Sequence, residues 1–596
     1  MSLKKIKVRR LIIIYCLYLF IFTIFKFDQS FTTEIKGDIY EDTVWDTTGS
    51  PYIVSKTISI YPSATLTIKS GVIIKFDPDC SIRIGGVFIA RGTEDKNIYF
   101  IQNKKRERWG TLMFVDSSID ASFDDEGNYI SGSIIEYASI EGAGNSGIYC
   151  DSASPLIIRN TMSGNAAYKF GGGIHCNNSS PTIFKNTILN NTAHGGGGGI
   201  FCYNSSSMIS GNIIGNNTGS SYGGGIYCWN NPSPTISGNT ILYNTTEIYG
   251  GGIFCRYSSP VISGNKISSN AADEGGGIFC NESSPIISGN KISSNTAGIE
   301  GGGICCSSFS SPTIYDNEII YNNAEENGGG IHCRNSDYIT ISSNVISNNK
   351  ADFSNGGGIY CLRCSSPAIY DNEIIYNTAE ANGGGIYCQN VDNLVIYRNT
   401  ISGNESDGGG IYCLNSSRIN YNNIFNNKKY DVYTMSDLDA MNNWWGTALL
   451  DSIDAHNYDY RDDVSIGGKI QYVPYLTSAT PIRISSVELK SDSIYSKKLS
   501  AQLFIGNTIF IELAGADGDS TSRDNTNVLV KSTNDTAGIS VKLNETDVNS
   551  GVYRGVACVE DESNDTEDII GALQRDVVKI FSVVDTSICD SVTIFK

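Results

Sequence analysis

The chain has 596 residues, a net charge of −19 and a pI near 4.7. That acidic balance argues against a nucleic-acid partner, which requires a basic face. Hydrophobic residues make up 40% of the chain, so we expect a folded protein rather than a disordered one.

The first 27 residues have the pattern of an export signal. Five basic residues precede an apolar run from Leu11 to Phe25, which Lys26 ends. The run is short for a membrane span, which needs about 20 residues. No small-residue cleavage site follows it. We expect a secreted or cell-surface protein in which residues 1–27 are a signal peptide, with a retained N-terminal signal anchor as the alternative.

A repeat then organises most of the chain. Residues 45–140 alternate apolar and polar positions less regularly, and from residue 141 to 427 a Gly-Gly-Gly-Ile-x-Cys motif returns every 25 to 28 residues. The cysteines of the repeat are Cys150, Cys176, Cys202, Cys228, Cys255, Cys280, Cys306, Cys333, Cys361, Cys388 and Cys413. Two asparagines, five residues apart, follow in each period, as Asn265 and Asn270 do in SPVISGNKISSN.

This period predicts a parallel β-helix of about 26 residues per coil. Its apolar pieces are too short for helices, and propeller blades need about 40 residues. We expect three short strands per coil, with the Ile and Cys of the motif inward and x outward. Each asparagine is expected in a turn, tolerating left-handed φ and bonding to its counterpart one coil away.

Two further regions follow the repeats. Residues 428–478 contain NNWWGT and are expected to cap the stack, with Trp444 and Trp445 covering the last apolar cross-section. Residues 481–596 read as about eight strands separated by Asp, Asn and Gly. They predict a C-terminal β-sandwich, in which Cys558 and Cys589 are candidates for a disulfide.

On its Asn-x-Ile-x-x-Asn coils, GGGI turns and TLTIKSGVIIKF and NNWWGT flanks, the sequence resembles the right-handed parallel β-helix repeat superfamily. Its members include pectate lyases, polygalacturonases, NosD-type periplasmic proteins and surface adhesins, and the repeats also resemble those of polymorphic outer-membrane adhesins. The resemblance covers residues 45–478 and implies a right-handed all-β fold. It does not single out an activity, because this fold serves many functions.

The cysteine column is interpreted as core packing. A single file of thiols about 4.8 Å apart neither matches disulfide geometry nor surrounds zinc tetrahedrally. We therefore expect free, buried cysteines, no metal and no cofactor. Asp517, Asp519 and Asp524 form a cluster of carboxylates that could bind calcium, but their spacing is not that of an EF-hand. We interpret this segment as a solvated loop between strands.

The outward x position forms the candidate binding site. It is mostly Phe or Tyr, and an exposed aromatic row marks an interaction surface, although stacking between coils alone explains it as well. The predicted carbohydrate-binding residues are Tyr149, Phe201, Tyr227, Phe254, Phe279, Tyr360, Tyr387 and Tyr412.

No catalytic residue is assigned. His175 and His332 are six coils apart, and the repeat charges pair across adjacent coils, as Asp371 does with Arg398. The resulting prediction is a monomeric, non-catalytic protein that binds extended carbohydrate or mediates adhesion. The alternative is a polysaccharide lyase or glycoside hydrolase acting on an acidic or plant-type polysaccharide and using residues such as Asp316, Asp371 and Arg398.

Overall fold

A computed structural model describes residues 32–230, 233–415 and 417–479 in full, and the backbone of nine strands between residues 480 and 596. Residues 32–479 wind into a right-handed parallel β-helix, which confirms the predicted fold class for this region. The proposed signal or anchor at residues 1–27 lies outside the described residues.

Four parallel sheets run along the stack, and we number them in the order in which a central coil passes through them. Sheet 1 contains the Gly-Ile-x-Cys strands: Ile58–Ile60, Ile82–Ile84, Leu112–Phe114, Ile148–Asp151, Ile174–Asn177, Ile200–Tyr203, Ile226–Trp229, Ile253–Arg256, Ile278–Asn281, Ile304–Ser307, Ile331–Arg334, Ile359–Leu362, Ile386–Gln389, Ile411–Cys413, Val432–Thr434 and Asn457–Tyr458. Sheet 2 contains Thr43–Trp45, Thr65–Ile68, Val87–Arg91, Ile134–Glu136, Leu156–Ile158, Thr182–Phe184, Met208–Ser210, Thr235–Ser237, Val261–Ser263, Ile286–Ser288, Thr313–Tyr315, Thr340–Ser342, Ala368–Tyr370, Val395–Tyr397, Arg418–Asn420, Leu438–Asp439 and Ile470–Gln471.

Sheets 3 and 4 follow the two asparagine turns. Sheet 3 contains Thr33–Ile35, Tyr52–Val54, Ile73–Phe76, Ile98–Gln102, Ala138–Glu141, Thr161–Ser163, Thr187–Leu189, Ile213–Gly215, Thr240–Leu242, Lys266–Ser268, Lys291–Ser293, Glu318–Ile320, Val345–Ser347, Glu373–Ile375, Thr400–Ser402 and Asn423–Phe425. Sheet 4 contains Ala166–Ala167, Thr192–Ala193, Thr218–Gly219, Thr245–Thr246, Ala271–Glu274, Thr296–Glu300, Asn323–Ala324, Lys350–Ala351 and Thr378–Ala379. The central coils therefore have four strands rather than the three predicted, because the residues after the second asparagine also pair.

The interior is filled by identical side chains stacked in register. Ile226 pairs with Ile253, and Cys228 with Cys255, in adjacent strands of sheet 1, and all four are fully buried. Every cysteine of the repeat is free and buried, as predicted. Contact with the Cys228 thiol and then burial hold the pKa of Cys255 well above its usual range, so Cys255 packs as a neutral thiol.

Two asparagine ladders run along the turns, and the predicted bond from coil to coil is confirmed. The backbone N–H and the side-chain Nδ2 of Asn217 both donate to Asn244 Oδ1, at 3.1 and 3.0 Å, and Nδ2 also donates to the Ile188 carbonyl at 2.9 Å. The expectation of left-handed φ at the ladder residue is wrong. That conformation lies one residue earlier, at Asn216 with φ 51°, which leaves Asn217 pointing inward.

The three glycines of the motif are required by contacts with backbone. Gly250 has φ +68°, and a Cβ there would lie 2.5 Å from the Ile253 carbonyl oxygen. A Cβ on Gly251 would lie 2.5 Å from the Gly276 carbonyl oxygen and 2.6 Å from the backbone of Ala271. Real Cβ atoms do not approach backbone so closely, so the chain reverses tightly here only with glycine.

The stack is covered after its last coil. Trp445 is 3% exposed and belongs to the core, and the helix Leu450–Ala455 buries Ile453 against it. A hairpin of Ser122–Phe123 and Tyr129–Ser131 interrupts an early coil. The bounds of the capping coils at 428–478 and of the less regular coils before residue 140 stay predictions.

The C-terminal region is described as strands only. They are Ile484–Lys490, Leu503–Phe504, Thr508–Gly515, Asn525–Lys531, Ile539–Glu545, Val552–Glu560, Ile569–Gly571, Val577–Ser582 and Cys589–Phe595, and most of their pairings are antiparallel. The sandwich packing, the disulfide between Cys558 and Cys589 and the 517–524 loop lie outside the described residues and stay predictions.

Candidate functional site

The aromatic column between Ile and Cys points outward from sheet 1, but it is not exposed. The prediction of a solvent-facing strip is wrong for seven of its eight residues. Tyr149 is half-buried, and the others are 8% exposed or less: Phe201, Tyr227, Phe254, Phe279, Tyr360, Tyr387 and Tyr412. Their role in carbohydrate binding stays a prediction, and it requires ring faces that the fold covers.

The glycine reversal explains this burial. At Phe170, Tyr222 and Tyr249, the residue before the glycine triplet is folded back over the outer face of sheet 1. Tyr249 therefore lies against Phe279, with ring centroids 4.7 Å apart, and Tyr222 lies 5.5 Å from Phe254. These rings form a second apolar layer outside the sheet, and the column beneath them acts as core.

Further along, the column becomes a tyrosine stack. Tyr360, Tyr387 and Tyr412 follow one another at 4.9 and 5.3 Å with ring planes within 6° of parallel. Burial raises the pKa of each of these three tyrosines to about 12. The stacking interpretation of the column thus accounts for its geometry.

A polar cluster separates the two aromatic segments. Cys305 and His332 occupy the column there, and the small Cys305 leaves space for Arg334 to cross the face. Arg334 Nη1 lies 3.2 Å from Glu300 Oε2, and Nη2 lies 3.7 Å from Glu274 Oε2. The two glutamates are register partners on adjacent strands of sheet 4, so one guanidinium holds two neighbouring carboxylates.

The cluster is strongly desolvated. Burial raises the pKa of Glu274 and of Glu300, and Arg334 opposes both shifts. His332 is fully buried, and burial followed by the Arg334 charge lowers its pKa to about 3. The imidazole is therefore neutral at physiological pH, and Arg334 is the cation that compensates the carboxylates.

Cys305, His332 and Glu300 form a line that resembles a nucleophile, a base and an orienting acid. Cys305 Sγ lies 3.5 Å from His332 Nδ1, and His332 Nε2 lies 3.6 Å from Glu300 Oε2. Neither the thiol nor the imidazole reaches the surface, and burial holds the pKa of Cys305 well above its usual range. A buried, protonated thiol does not attack a substrate, so we assign this line a packing role.

We expect Arg334→Met to lower the free energy of unfolding by about 2 kcal/mol at neutral pH, since it leaves two carboxylates adjacent without a cation. The partial exposure of the arginine keeps this below the loss for a fully buried pair. Without Arg334, the folded-state pKa values of Glu274 and Glu300 lie further above their ordinary value of 4.5. The native state then binds more protons than the unfolded chain above that pH, so the variant regains stability as the pH falls toward about 5.

Thermal unfolding of the variant and the wild type at neutral pH and near pH 5 measures this difference. Adding Glu274→Gln and Glu300→Gln to the Arg334→Met variant is the control, and it is expected to abolish the pH dependence of the loss. If Arg334→Met loses the same stability at both pH values, Arg334 is not the cation that compensates Glu274 and Glu300.

Two residues of the enzymatic alternative, Asp371 and Arg398, form the surface pair that the sequence indicated. Arg398 Nη2 lies 2.7 Å from Asp371 Oδ2, and a similar pair joins Lys291 Nζ and Glu318 Oε1 at 2.5 Å. Such pairs between exposed neighbouring coils are common structural contacts. Among the described residues, no group of three His, Cys, Asp or Glu side chains is arranged to hold a metal ion.

The outer face of sheet 2 carries a row with three tyrosines, one exposed and two partly exposed, that was not predicted from the sequence. Tyr315, Ser342, Tyr370 and Tyr397 follow one another in register on successive coils. Tyr315 is 36% exposed, and Tyr370 and Tyr397 stack at 4.9 Å with both rings partly exposed. The sequence signal is the tyrosine in TIYDN, AIYDN and VIYRN. It directly precedes the charged residues Asp316, Asp371 and Arg398.

A groove of about 600 Å³ continues this face toward the last coils. Val395 lines it and lies two residues before Tyr397 on one strand, so both side chains point outward. The polar residues that line the groove are Asn393, Ser417, Arg418, Asp437, Asp439, Lys469 and Gln471. Sheet 2 therefore combines a partly exposed aromatic row with a polar groove on one surface, which we call the sheet 2 face.

Comparisons with known proteins agree with the fold. The family model described as right handed beta helix region matches residues 185–319 and 300–443. The resemblance to right-handed parallel β-helix repeat proteins is thereby confirmed. No helix among the described residues is both long and apolar enough to span a membrane.

Individual relatives match weakly. The chain is 33% identical over 73 residues to Protein bark beetle of Drosophila melanogaster, a match that covers 12% of this chain and 2% of that protein. Among solved structures, it is similar to the Dettilon tailspike protein (gp208), with 10% identity, 86% of this chain and 88% of that chain covered, and a TM-score of 0.18. A similarity at that TM-score supports no conclusion about function.

Proposed function

We propose that this protein is secreted or displayed at the cell surface, where the sheet 2 face binds an extended carbohydrate without cleaving it. The observation that carries the proposal is the row of exposed Tyr315 and partly exposed Tyr370 and Tyr397, which leads into an open polar groove. Apolar rings that meet solvent on one face are characteristic of interaction surfaces. The export pattern of residues 1–27 supports the location.

The geometry favours an extended ligand over a compact one. Register partners on successive coils are spaced about 4.8 Å apart, so Tyr315 and Tyr370 are separated by about 10 Å along the stack. Aromatic rings offer apolar faces to sugar rings, and the Ser and Thr positions around them offer hydroxyl groups. Weak contacts repeated along one polymer gain from effective concentration.

Replacing Tyr315, Tyr370 and Tyr397 together with Ser is expected to weaken polysaccharide binding about 50-fold, since three ring contacts of about 0.8 kcal/mol each are lost. The matched control is Tyr243, Tyr321 and Tyr376 to Ser. These tyrosines are 46–60% exposed and lie at the turn between sheets 3 and 4.

Retention of the full chain on immobilised polysaccharides measures binding, and a melting curve checks that both variants fold. Binding is expected to fall with shorter oligosaccharides in the wild type and the control. If the Tyr315, Tyr370 and Tyr397 variant folds and is retained as well as the control, the sheet 2 face is not the binding site.

A further inference from the structure

The groove at the end of the sheet 2 face contains two cationic side chains that have no anionic partner within residues 32–479. Arg418 and Lys469 both line it and both are exposed. Among the described residues, none forms an ion pair with either side chain, although Arg418 is the register neighbour of Asp439. An arginine in a groove with its donors unused favours a planar, bidentate acceptor such as a carboxylate.

The two acidic residues of the groove are engaged differently. Asp437 Oδ1 accepts a bond from the Lys469 backbone N–H at 3.1 Å. Asp439 Oδ1 accepts from Asn420 Nδ2 at 3.0 Å and from the Met441 N–H at 3.3 Å. These bonds fix both carboxylates in place, and the second oxygen of each has no hydrogen-bond donor among the described residues. Fixed carboxylate oxygens of this kind accept bonds from ligand hydroxyl groups.

The groove therefore offers a ligand both cationic side chains and carboxylate oxygens that can accept hydrogen bonds. A simple anion would meet Asp437 and Asp439 as well as the cations. A neutral sugar would leave Arg418 and Lys469 unmatched. A sugar that carries both hydroxyl groups and a carboxylate satisfies all four, and Gln471 adds an amide that can both donate and accept.

We infer that the groove is a subsite for an acidic sugar residue, whose carboxylate is held by Arg418 and Lys469 and whose hydroxyls are held by Asp437 and Asp439. This rests on the proposed function, because the groove continues the sheet 2 face on which the rest of the chain would lie. The subsite would position the polymer along the sheet 2 face, with an acidic sugar residue in the groove next to Tyr397.

The experiment compares short oligomers of a uronic acid with the same oligomers after reduction of their carboxyl groups to alcohols. Binding to the full-length protein is measured by calorimetry at low and high salt. The wild type is expected to bind the acidic oligomer at least about tenfold more tightly than the reduced one, and to lose most of that preference at high salt.

Arg418→Gln with Lys469→Gln is expected to remove the preference for the acidic oligomer over the reduced one. The control is Lys69→Gln with Arg83→Gln, an exposed lysine and arginine of the early coils, which should leave the preference intact. A variant that keeps the tenfold preference overturns the subsite, as does a wild type that binds both oligomers equally. Tighter binding of sulfated dextran than of the uronic acid oligomer also overturns it.

The tyrosine variant separates the two proposals. The replacement of Tyr315, Tyr370 and Tyr397 with Ser can leave long-polymer binding intact while Arg418→Gln with Lys469→Gln abolishes the preference for the acidic oligomer. That result would support the acidic subsite in the groove and contradict the proposal that the tyrosine row binds the polymer. If the wild type retains neither acidic nor neutral polymers, both proposals are overturned.

Discussion

Deleting residues 203–215, half of one coil, is expected to abolish the native fold, whereas deleting residues 203–228, one complete coil, leaves a shorter β-helix. The complete deletion joins Cys202 to Trp229, so the strand beginning at Ile200 takes Ile253 as its partner in the same register. The strands of each coil pair only with those of neighbouring coils, so removing one coil leaves every type of strand pairing in place.

The half-coil deletion turns the following side chains away from the interior. Four inward residues of an affected coil, with about 2 kcal/mol of burial each, amount to about 8 kcal/mol, which is comparable to the stability of a whole domain. Circular dichroism and a cooperative thermal transition distinguish the two products. Two deletions that unfold alike, or that both fold, contradict the assignment of one coil to each period.

Asn217→Ala is expected to lower the free energy of unfolding by about 4 kcal/mol. The substitution leaves the Ile188 carbonyl without its donor, and the Asn191 backbone N–H and Nδ2 without the Oδ1 that accepts both at 3.0 Å. Each buried polar group left unsatisfied costs about 1–3 kcal/mol. The residue is fully buried between two other asparagines, so water does not replace these bonds.

The adjacent Asn216 supplies the control. It is exposed with φ 51°, a conformation that glycine adopts without strain, so Asn216→Gly is expected to change stability by less than about 1 kcal/mol. Chemical denaturation of both variants measures the difference. Similar losses in the two would mean that the ladder is not a main source of stability.

Sheet 1 and the sheet 2 face show how far the sequence predicted the site. Both carry aromatic residues at outward positions, and the alternation of side chains along a strand is the same in each. Tyr227 is 1% exposed and Tyr315 36% exposed. The difference arises from the glycine reversal, which folds a neighbouring segment over sheet 1 and leaves sheet 2 open.

The ion pairs of the polar cluster could not be predicted from the sequence either. Arg334 follows Glu274 by 60 residues, and its guanidinium reaches across the intervening coil because Cys305 replaces an aromatic ring there. Charge pairs between equivalent positions on adjacent coils, such as Asp371 with Arg398, were predicted because they share a column. A pair that crosses columns and skips a coil has no fixed spacing in the sequence.

The sequence by itself determined the period, the inward direction of Ile226 and Cys228, and the bonds between successive ladder asparagines. It did so because a solenoid converts repetition along the chain directly into contact between neighbouring coils. Only the tertiary structure decided which outward residues meet solvent, because that depends on how the chain folds back at Gly250 and on what lies above each sheet. The buried column of Tyr227 and the exposed row of Tyr315 follow from that reversal.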